Sequence, residues 1–435
     1  MYRWIGRACA FLVLLLVVIV GSPSGPPGAD AASPAASGAN LSAIPGTIAY
    51  TRNYLELHII QPDGSNDKTV WTEPGSGSML NSAVWRPDAK EIAFSSNHAQ
   101  LTSQFTSDIY GIQPDGTGMR RISNPPDPSQ YGSYAKGSVV VTVTDFDIAG
   151  PFAIWMEGAP AAQQSSGSGT LTFDDVAIFP GQVQFLVAMN GSSRWISAGG
   201  GVEVQPGETV STSININSAS RFDFWGAFSA VWRSDGAQID FPVGSICGGY
   251  TLPTYPAAGE LAQPLMQSNT SMCIFDRGPT PALGNQILYY TGLGPDGGEG
   301  FYRAEEGSAT GGTLLHDLAL GEQAFNVQWL PDGSGFLFSK SDASLYYAAS
   351  NIYQYDLGTQ ATTQLTFFTT QFAVNLSVSP DGTTIVFDVW DQTPGTSATV
   401  LQDLWIMPRK GSAAPKLFVK NGGGPSWSRT SPPGH

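Results

Sequence analysis

The sequence predicts an all-β chain: a six-bladed β-propeller closed by a C-terminal strand, with a small β-sandwich inserted into the ring. Three observations lead there. A short phrase built on Trp and Asp recurs along the chain, its copies fall on one period, and the two chain ends supply complementary parts of one repeat. Composition agrees. Of 435 residues, 51 are Gly and 31 are Pro, which suits many short strands and turns better than helices. Apolar residues make up 41%, enough for a sizeable core, so wholesale disorder is excluded.

The phrase is a Trp, then Pro or Ser, Asp and usually Gly, then an apolar strand. It reads Trp85-Arg86-Pro87-Asp88 before Ile92-Ala93-Phe94, and Trp232-Arg233-Ser234-Asp235-Gly236 before Ile239. It returns as Trp329-Leu330-Pro331-Asp332-Gly333 before Phe336-Leu337-Phe338, and as Val378-Ser379-Pro380-Asp381-Gly382 before Ile385-Val386-Phe387. Pro fixes φ, Asp bonds nearby backbone N–H groups and Gly accepts positive φ, so each phrase is a tight turn between strands. Trp329, Val378 and Trp427 are spaced by 49 residues, and Trp232 lies 97 before Trp329, about two periods. A degenerate copy is therefore expected near residue 280, where Ile287 takes the strand position without a preceding Trp.

Third strands follow at Asp108-Ile109-Tyr110, Asn351-Ile352-Tyr353 and Asp403-Leu404-Trp405, and more polar fourth strands at Arg120-Arg121-Ile122 and Thr363-Gln364-Leu365. Four antiparallel strands in one such period make a propeller blade. Thr47–Tyr50 reads as a second strand with no first, while the chain ends in a lone first strand, Gly424–Ser428. Joining them closes the ring and removes exposed edges. The blades so counted are 45–71 with 424–428, then 80–123, 225–275, 280–316, 324–366 and 372–418.

These residues resemble the TolB-like, WD-repeat-like propellers of exported bacterial proteins. That family's repeat runs Trp-Ser-Pro-Asp-Gly, an apolar strand, Asp-Ile-Tyr, Asp-Gly, then Arg-Leu-Thr. The stretch from Trp85 through Asp108-Ile109-Tyr110 and Asp115-Gly116 to Ser123 matches it best. The resemblance implies a binding platform and fixes no partner. The family's namesake carries an α/β domain ahead of its propeller, for which this chain leaves no room, so the namesake's partners do not carry over.

Between residues 124 and 231 the phrase is absent and β runs with Gly-rich turns replace it, among them Ser138–Thr144, Phe152–Met156, Thr170–Val176 and Glu208–Ile216. They suggest a small β-sandwich. Thr172-Phe173-Asp174-Asp175-Val176 with Phe179-Pro180-Gly181 resembles carboxypeptidase-regulatory-like domains. Arg3, Arg7, the apolar run Ala8–Val20 and Ala29-Asp30-Ala31 have the layout of a secretory signal. The expected organisation is a signal peptide at 1–31, a flexible linker at 32–44, blades one and two at 45–133, the inserted sandwich at 134–222, blades three to six with the closing strand at 223–428, and a tail at 429–435. The mature chain would then be secreted or periplasmic, with no membrane span. Its two cysteines, Cys247 and Cys273, are a disulfide candidate that would stabilise by roughly 3–4 kcal/mol.

Net charge is −15, from 35 acidic and 20 basic residues, which argues against a nucleic-acid partner. The four His have no metal-ligand spacing, and no nucleophile elbow, phosphate loop or dinucleotide fingerprint is present. Neither a catalytic residue, a metal nor a cofactor is therefore expected. Asp108, Asp296, Glu299, Glu305 and Glu306 read as solvated turn carboxylates before they read as a channel site. The long 242–275 segment carries Tyr250 and Tyr255, and with Tyr289 and Tyr290 these are the candidate binding residues. The expected function is a non-catalytic scaffold for a protein or peptide. The alternative is a carbohydrate-binding or carbohydrate-active propeller with a channel site, which would require convergent carboxylates beside a Trp or Tyr.

Overall fold

The computed structural model describes residues 41–430 except 76–79, 100–102, 104, 106, 124–133, 145–149, 179–183, 185, 191–192, 197–201, 219–221, 224–225, 244–246, 258–259, 261, 268–270, 293, 295–297, 320, 343–348, 392–400 and 411–412. The signal and most of the linker assigned from sequence lie outside these residues. Among those described, the ordered elements are strands and short 3-10 turns.

The first sheet holds β1 (Ile48–Arg52), β2 (Glu56–Ile60) and β3 (Lys68–Thr72). The second holds β4 (Leu80–Trp85), β5 (Ile92–Ser96), β6 (Asp108–Ile112) and β7 (Arg120–Arg121). Eight strands follow before the ring resumes: β8 (Lys136–Thr144), β9 (Phe152–Met156), β10 (Gln163–Ser165), β11 (Gly169–Ala177), β12 (Leu186–Asn190), β13 (Ser193–Ile196), β14 (Thr209–Asn215) and β15 (Phe222–Asp223). The third sheet is β16 (Val231–Trp232), β17 (Gln238–Val243), β18 (Gly248–Pro253) and β19 (Gln263–Pro264). The fourth is β20 (Ile274–Arg277), β21 (Gln286–Thr291), β22 (Gly300–Glu305) and β23 (Thr313–Asp317). The fifth is β24 (Glu322–Trp329), β25 (Gly335–Asp342), β26 (Ser350–Asp356) and β27 (Thr362–Gln364). The sixth is β28 (Gln371–Val378), β29 (Thr384–Asp391), β30 (Leu401–Pro408) and β31 (Lys416–Val419). The last strand, β32 (Gly422–Trp427), pairs antiparallel with β1 and completes the first sheet in the order β3-β2-β1-β32.

Ile48 stands opposite Trp427 in that closing pair. The inner strands β4, β16, β20, β24, β28 and β32 each touch the next around the ring. Six apolar clusters lie between consecutive sheets, the last joining Ile48, Tyr50 and Trp427 to Val386, Leu404 and Ile406 of the sixth. Each sheet is thus buried on both faces, which is why its second strand reads as an unbroken apolar run such as Phe336-Leu337-Phe338. Because every sheet is an antiparallel meander, the 1–2 and 3–4 connections leave from one end of the ring, and the 2–3 and sheet-to-sheet connections from the other.

The blade count stands at six, but the boundary between the third and fourth blades moves. Residues 274–277, of which the sequence assigns 274–275 to blade three and 276–277 to no blade, are the inner strand of blade four, and Arg277 pairs with Ile287. In blades two, three, five and six the Trp position and its partner lie seven residues apart, as in Trp85↔Ile92 and Trp329↔Phe336. In blade four the spacing is ten, because the 3-10 turn Pro281–Leu283 lengthens the connection.

β8–β15 form a five-stranded sheet, β10-β9-β12-β13-β15, and a three-stranded sheet, β11-β8-β14. Val139, Val141, Phe173 and Ile214 of one and Phe152, Ile154, Leu186 and Trp195 of the other share one core. Its centre is the edge-to-face pair Phe152–Trp195, with ring centroids 5.1 Å apart.

Candidate functional site

The six inner strands enclose a cavity of about 150 Å3, lined by residues from all of them. That is room for roughly five waters and falls below the ~300–1,000 Å3 of ordinary small-molecule sites. Backbone bulges shape the wall. Ser82, Ser229, Asn375 and Gly424 occupy equivalent places three residues before the Trp position, with φ of 51°, 52°, 37° and 57°. The bulge twists those four inner strands, and in four of the six blades the polar side chain just before the Trp position reaches sideways to the next blade.

That side chain is a clasp. Trp329 N–H donates to Asp276 Oδ2 at 2.7 Å, Val378 N–H to Gln328 Oε1 at 2.8 Å, Trp427 N–H to Ser377 Oγ at 2.9 Å, and Trp85 N–H to Ser426 Oγ at 3.1 Å. Each acceptor directly precedes the Trp position of its own strand. At the other two positions stand Val84 and Val231, and there the Trp232 indole N–H reaches the Val84 carbonyl at 3.3 Å. Most polar groups on the wall therefore hold blades together.

Asp276 is the carboxylate among the described lining residues. Burial pushes it up to about 6, against the backbone N–H donors of Trp329 and Arg277, which favour its anion. At that end, Arg429 follows the closing strand and donates from Nη1 to the carbonyl of Pro279 in blade four, so it crosses the mouth from blade one to the opposite blade. Near the other end, Asp388 of β29 is fully buried. It accepts from Asn375 Nδ2 at 2.7 Å, from Gly424 N–H at 3.0 Å and from the Gln402 amide. Burial pushes its carboxyl up to about 7 despite these donors.

The four tyrosines do not converge. Tyr289 is fully buried, its hydroxyl donating to the Gly311 carbonyl and its ring stacked on Tyr302, so it has no surface to offer a ligand. Tyr290, the next residue on the strand, points the other way and donates to Glu299, into the packing between blades four and five. Tyr250 is half-buried against the core between blades two and three. Tyr255 is exposed, but on the side of the tight turns, where Arg86 Nη1 donates to its hydroxyl at 3.0 Å and Arg120 stacks 4.2 Å over its ring. Cys247 and Cys273 are joined in a disulfide with Cα atoms 4.6 Å apart, tying the 2–3 connection of blade three to the start of blade four.

The described candidate carboxylates are held by neighbours and are not among the residues lining the channel. Asp108 is buried and accepts from Ser123 Oγ at 2.8 Å, Glu305 from Gln286 Nε2 at 3.1 Å, and Glu306 from Arg277 Nη2 at 2.8 Å. Asp296 lies outside the described residues. A second ionic cluster sits in blade one, where buried His58 lies between Asp67 Oδ1 at 3.0 Å and Glu56 Oε2 at 3.1 Å. Tyr50 and Arg52 also bond to Asp67, and these donors hold its carboxyl down at about 2 in spite of burial. The groups satisfy one another and cross-link three strands.

No protein-family profile matches the chain, and no curated protein matches it. Among solved structures it is similar to TolB from Acinetobacter baumannii, at 15% identity and a TM-score of 0.48, over 88% of this chain and 66% of that one. It is also similar to a putative TolB from Agrobacterium tumefaciens, at 11% identity and a TM-score of 0.43, over 90% and 94% of the two chains. A chain of a nidogen/laminin complex matches at 7% identity and a TM-score of 0.46, over 88% of this chain and 99% of that one. No helix among the described residues is long and apolar enough to cross a membrane.

Proposed function

We propose that this chain is an exported, non-catalytic interaction scaffold. It binds a protein or peptide through the end of the ring where the 2–3 connections and the 134–222 sandwich emerge. The observation that carries the reading is the channel wall. Its polar side chains are engaged as clasps between blades, its volume is small, and Arg429 bridges the opposite mouth. The connections around such a ring remain as the surface for recognition. The carbohydrate alternative called for convergent carboxylates beside a Trp or Tyr, whereas Asp276 stands among amides, hydroxyls and Phe rings.

The test is a pull-down from cell-envelope extract with the mature chain, run beside a glycan array. Substitutions at the 2–3 end, Leu55→Glu and Asn97→Arg, are expected to release the captured protein. Lys90→Glu and Lys410→Glu, at the tight-turn end, are expected to leave it bound. Glycan binding without protein capture, or loss confined to the tight-turn variants, would overturn the reading.

A further inference from the structure

Sheet edges show how a chain manages unwanted pairing. A long, flat edge without charge is a template for another strand, and folded proteins blunt such edges with charge, proline, bulges or brevity. The propeller edges of this chain follow that rule. β3 and β31 open on Lys68 and Lys416, β7 is two arginines, β19 is two residues ending in Pro264, β23 carries His316 and Asp317, and β27 has three residues. The insertion follows it at three of its four edges. β10 and β15 have three and two residues, and β11 carries Asp174 and Asp175 with a register shift and a φ of 57° at Asp175.

β14 breaks the rule. Its seven residues, Thr209-Val210-Ser211-Thr212-Ser213-Ile214-Asn215, include no charge and no proline. They pair with β8 in unbroken parallel register, and among the described residues no strand pairs on their other side. The side chains alternate. Val210 and Ile214 pack on the sandwich core, while Thr209, Ser211, Ser213 and Asn215 are exposed.

The sequence of β14 is also complementary to itself. In an antiparallel pair centred on Thr212, Val210 meets Ile214 of the second copy, Ser211 meets Ser213, and Thr209 meets Asn215. Core-facing residues stay opposite core-facing residues, and hydroxyls stay opposite hydroxyls or an amide. We propose that two copies of this chain associate through β14 edge to edge, merging their three-stranded sheets into one six-stranded sheet about a twofold axis at Thr212. A twofold contact of one patch with itself is the commonest way soluble chains pair. The net charge of −15 opposes the approach of two copies at long range. The edge adds no repulsion of its own, so association strengthens with salt.

The experiment measures mass in solution by light scattering after gel filtration, at protein concentrations up to on the order of 100 μM. The unmodified chain is expected to form a dimer whose fraction rises between low and high salt. Ser211→Lys with Ser213→Lys places lysines opposite lysines across the axis and should weaken the dimer at least about tenfold. Ser211→Glu with Ser213→Glu should do the same. Because these side chains are exposed, both variants should keep the circular dichroism spectrum of the parent. Mixing the lysine and glutamate variants should restore a dimer, which loss of folding would not allow. A monomeric parent at the highest concentration, an unchanged dimer in the lysine variant, or failure of the mixture to pair would overturn the proposal.

Discussion

Arg277 takes the place that tryptophan holds in four of the six inner strands, and its guanidinium Nε donates to Asp240 of the preceding blade with neither side chain exposed. A second contact, Nη2 to Glu306 at 2.8 Å, ties the same cation to its own blade. Burial alone would disfavour both charges, raising the Asp240 carboxyl, and the guanidinium is what opposes that rise. Removing the cation leaves a buried carboxylate without its partner. Arg277→Ala should therefore destabilise by about 3–5 kcal/mol. Replacing both members, Arg277→Met with Asp240→Leu, should recover most of that loss, since a packed apolar pair carries no desolvation cost. Urea unfolding of the two variants and the parent checks this. A single substitution costing under about 1 kcal/mol would show that water already solvates the pair.

The clasps make a second, independent prediction. Gln328 and Ser426 each accept one inner-strand N–H from the neighbouring blade, at junctions separated by one other junction on the ring. Gln328→Ala and Ser426→Ala should each cost about 1 kcal/mol, the usual net worth of one such bond. The double variant should lose the sum, because the two sites share no partner. Loss well beyond the sum in denaturant unfolding would mean that opening one junction loosens the whole ring.

Much of the ring is legible because its geometry imposes local chemistry. A tight turn after each inner strand needs Pro, Asp and Gly, and a sheet buried on both faces needs an apolar run, so Trp329-Leu330-Pro331-Asp332-Gly333 announces a blade by itself. Blade four escapes this reading for two physical reasons. Its Trp position holds a charged residue that only Asp240, far off in sequence, makes tolerable, and a 3-10 turn stretches the connection to Ile287. The tyrosines mislead for the opposite reason. Adjacent strand residues face opposite ways, so the pair Tyr289-Tyr290 splits between two cores instead of forming one surface. Asp276 and Asp388 look like ordinary strand carboxylates in sequence. Their burial comes from ring closure, which brings Gly424 beside Asp388 across 36 residues.

Asp388 gives the ring a stability that depends on pH in an unusual direction. Its carboxyl titrates near 7 when folded, against 3.8 for the free side chain, so the folded chain holds a proton that the unfolded chain has released. The contribution is therefore complete below about pH 4, falls as pH rises and levels off above 7, on the order of 4 kcal/mol in all. Asp276, at about 6, acts in the same sense and levels off above pH 6. His98 and His316, lowered by burial, act oppositely, since their unfolded forms bind more protons. These terms are common to the parent and to Asp388→Asn, so the difference between the two isolates Asp388. Between pH 6 and 7 the parent should lose about 1 kcal/mol relative to the variant, read as a shift between their urea midpoints. Parallel midpoints across that interval would place the carboxyl back in its ordinary range, ionised within the junction between the sixth blade and the closing strand.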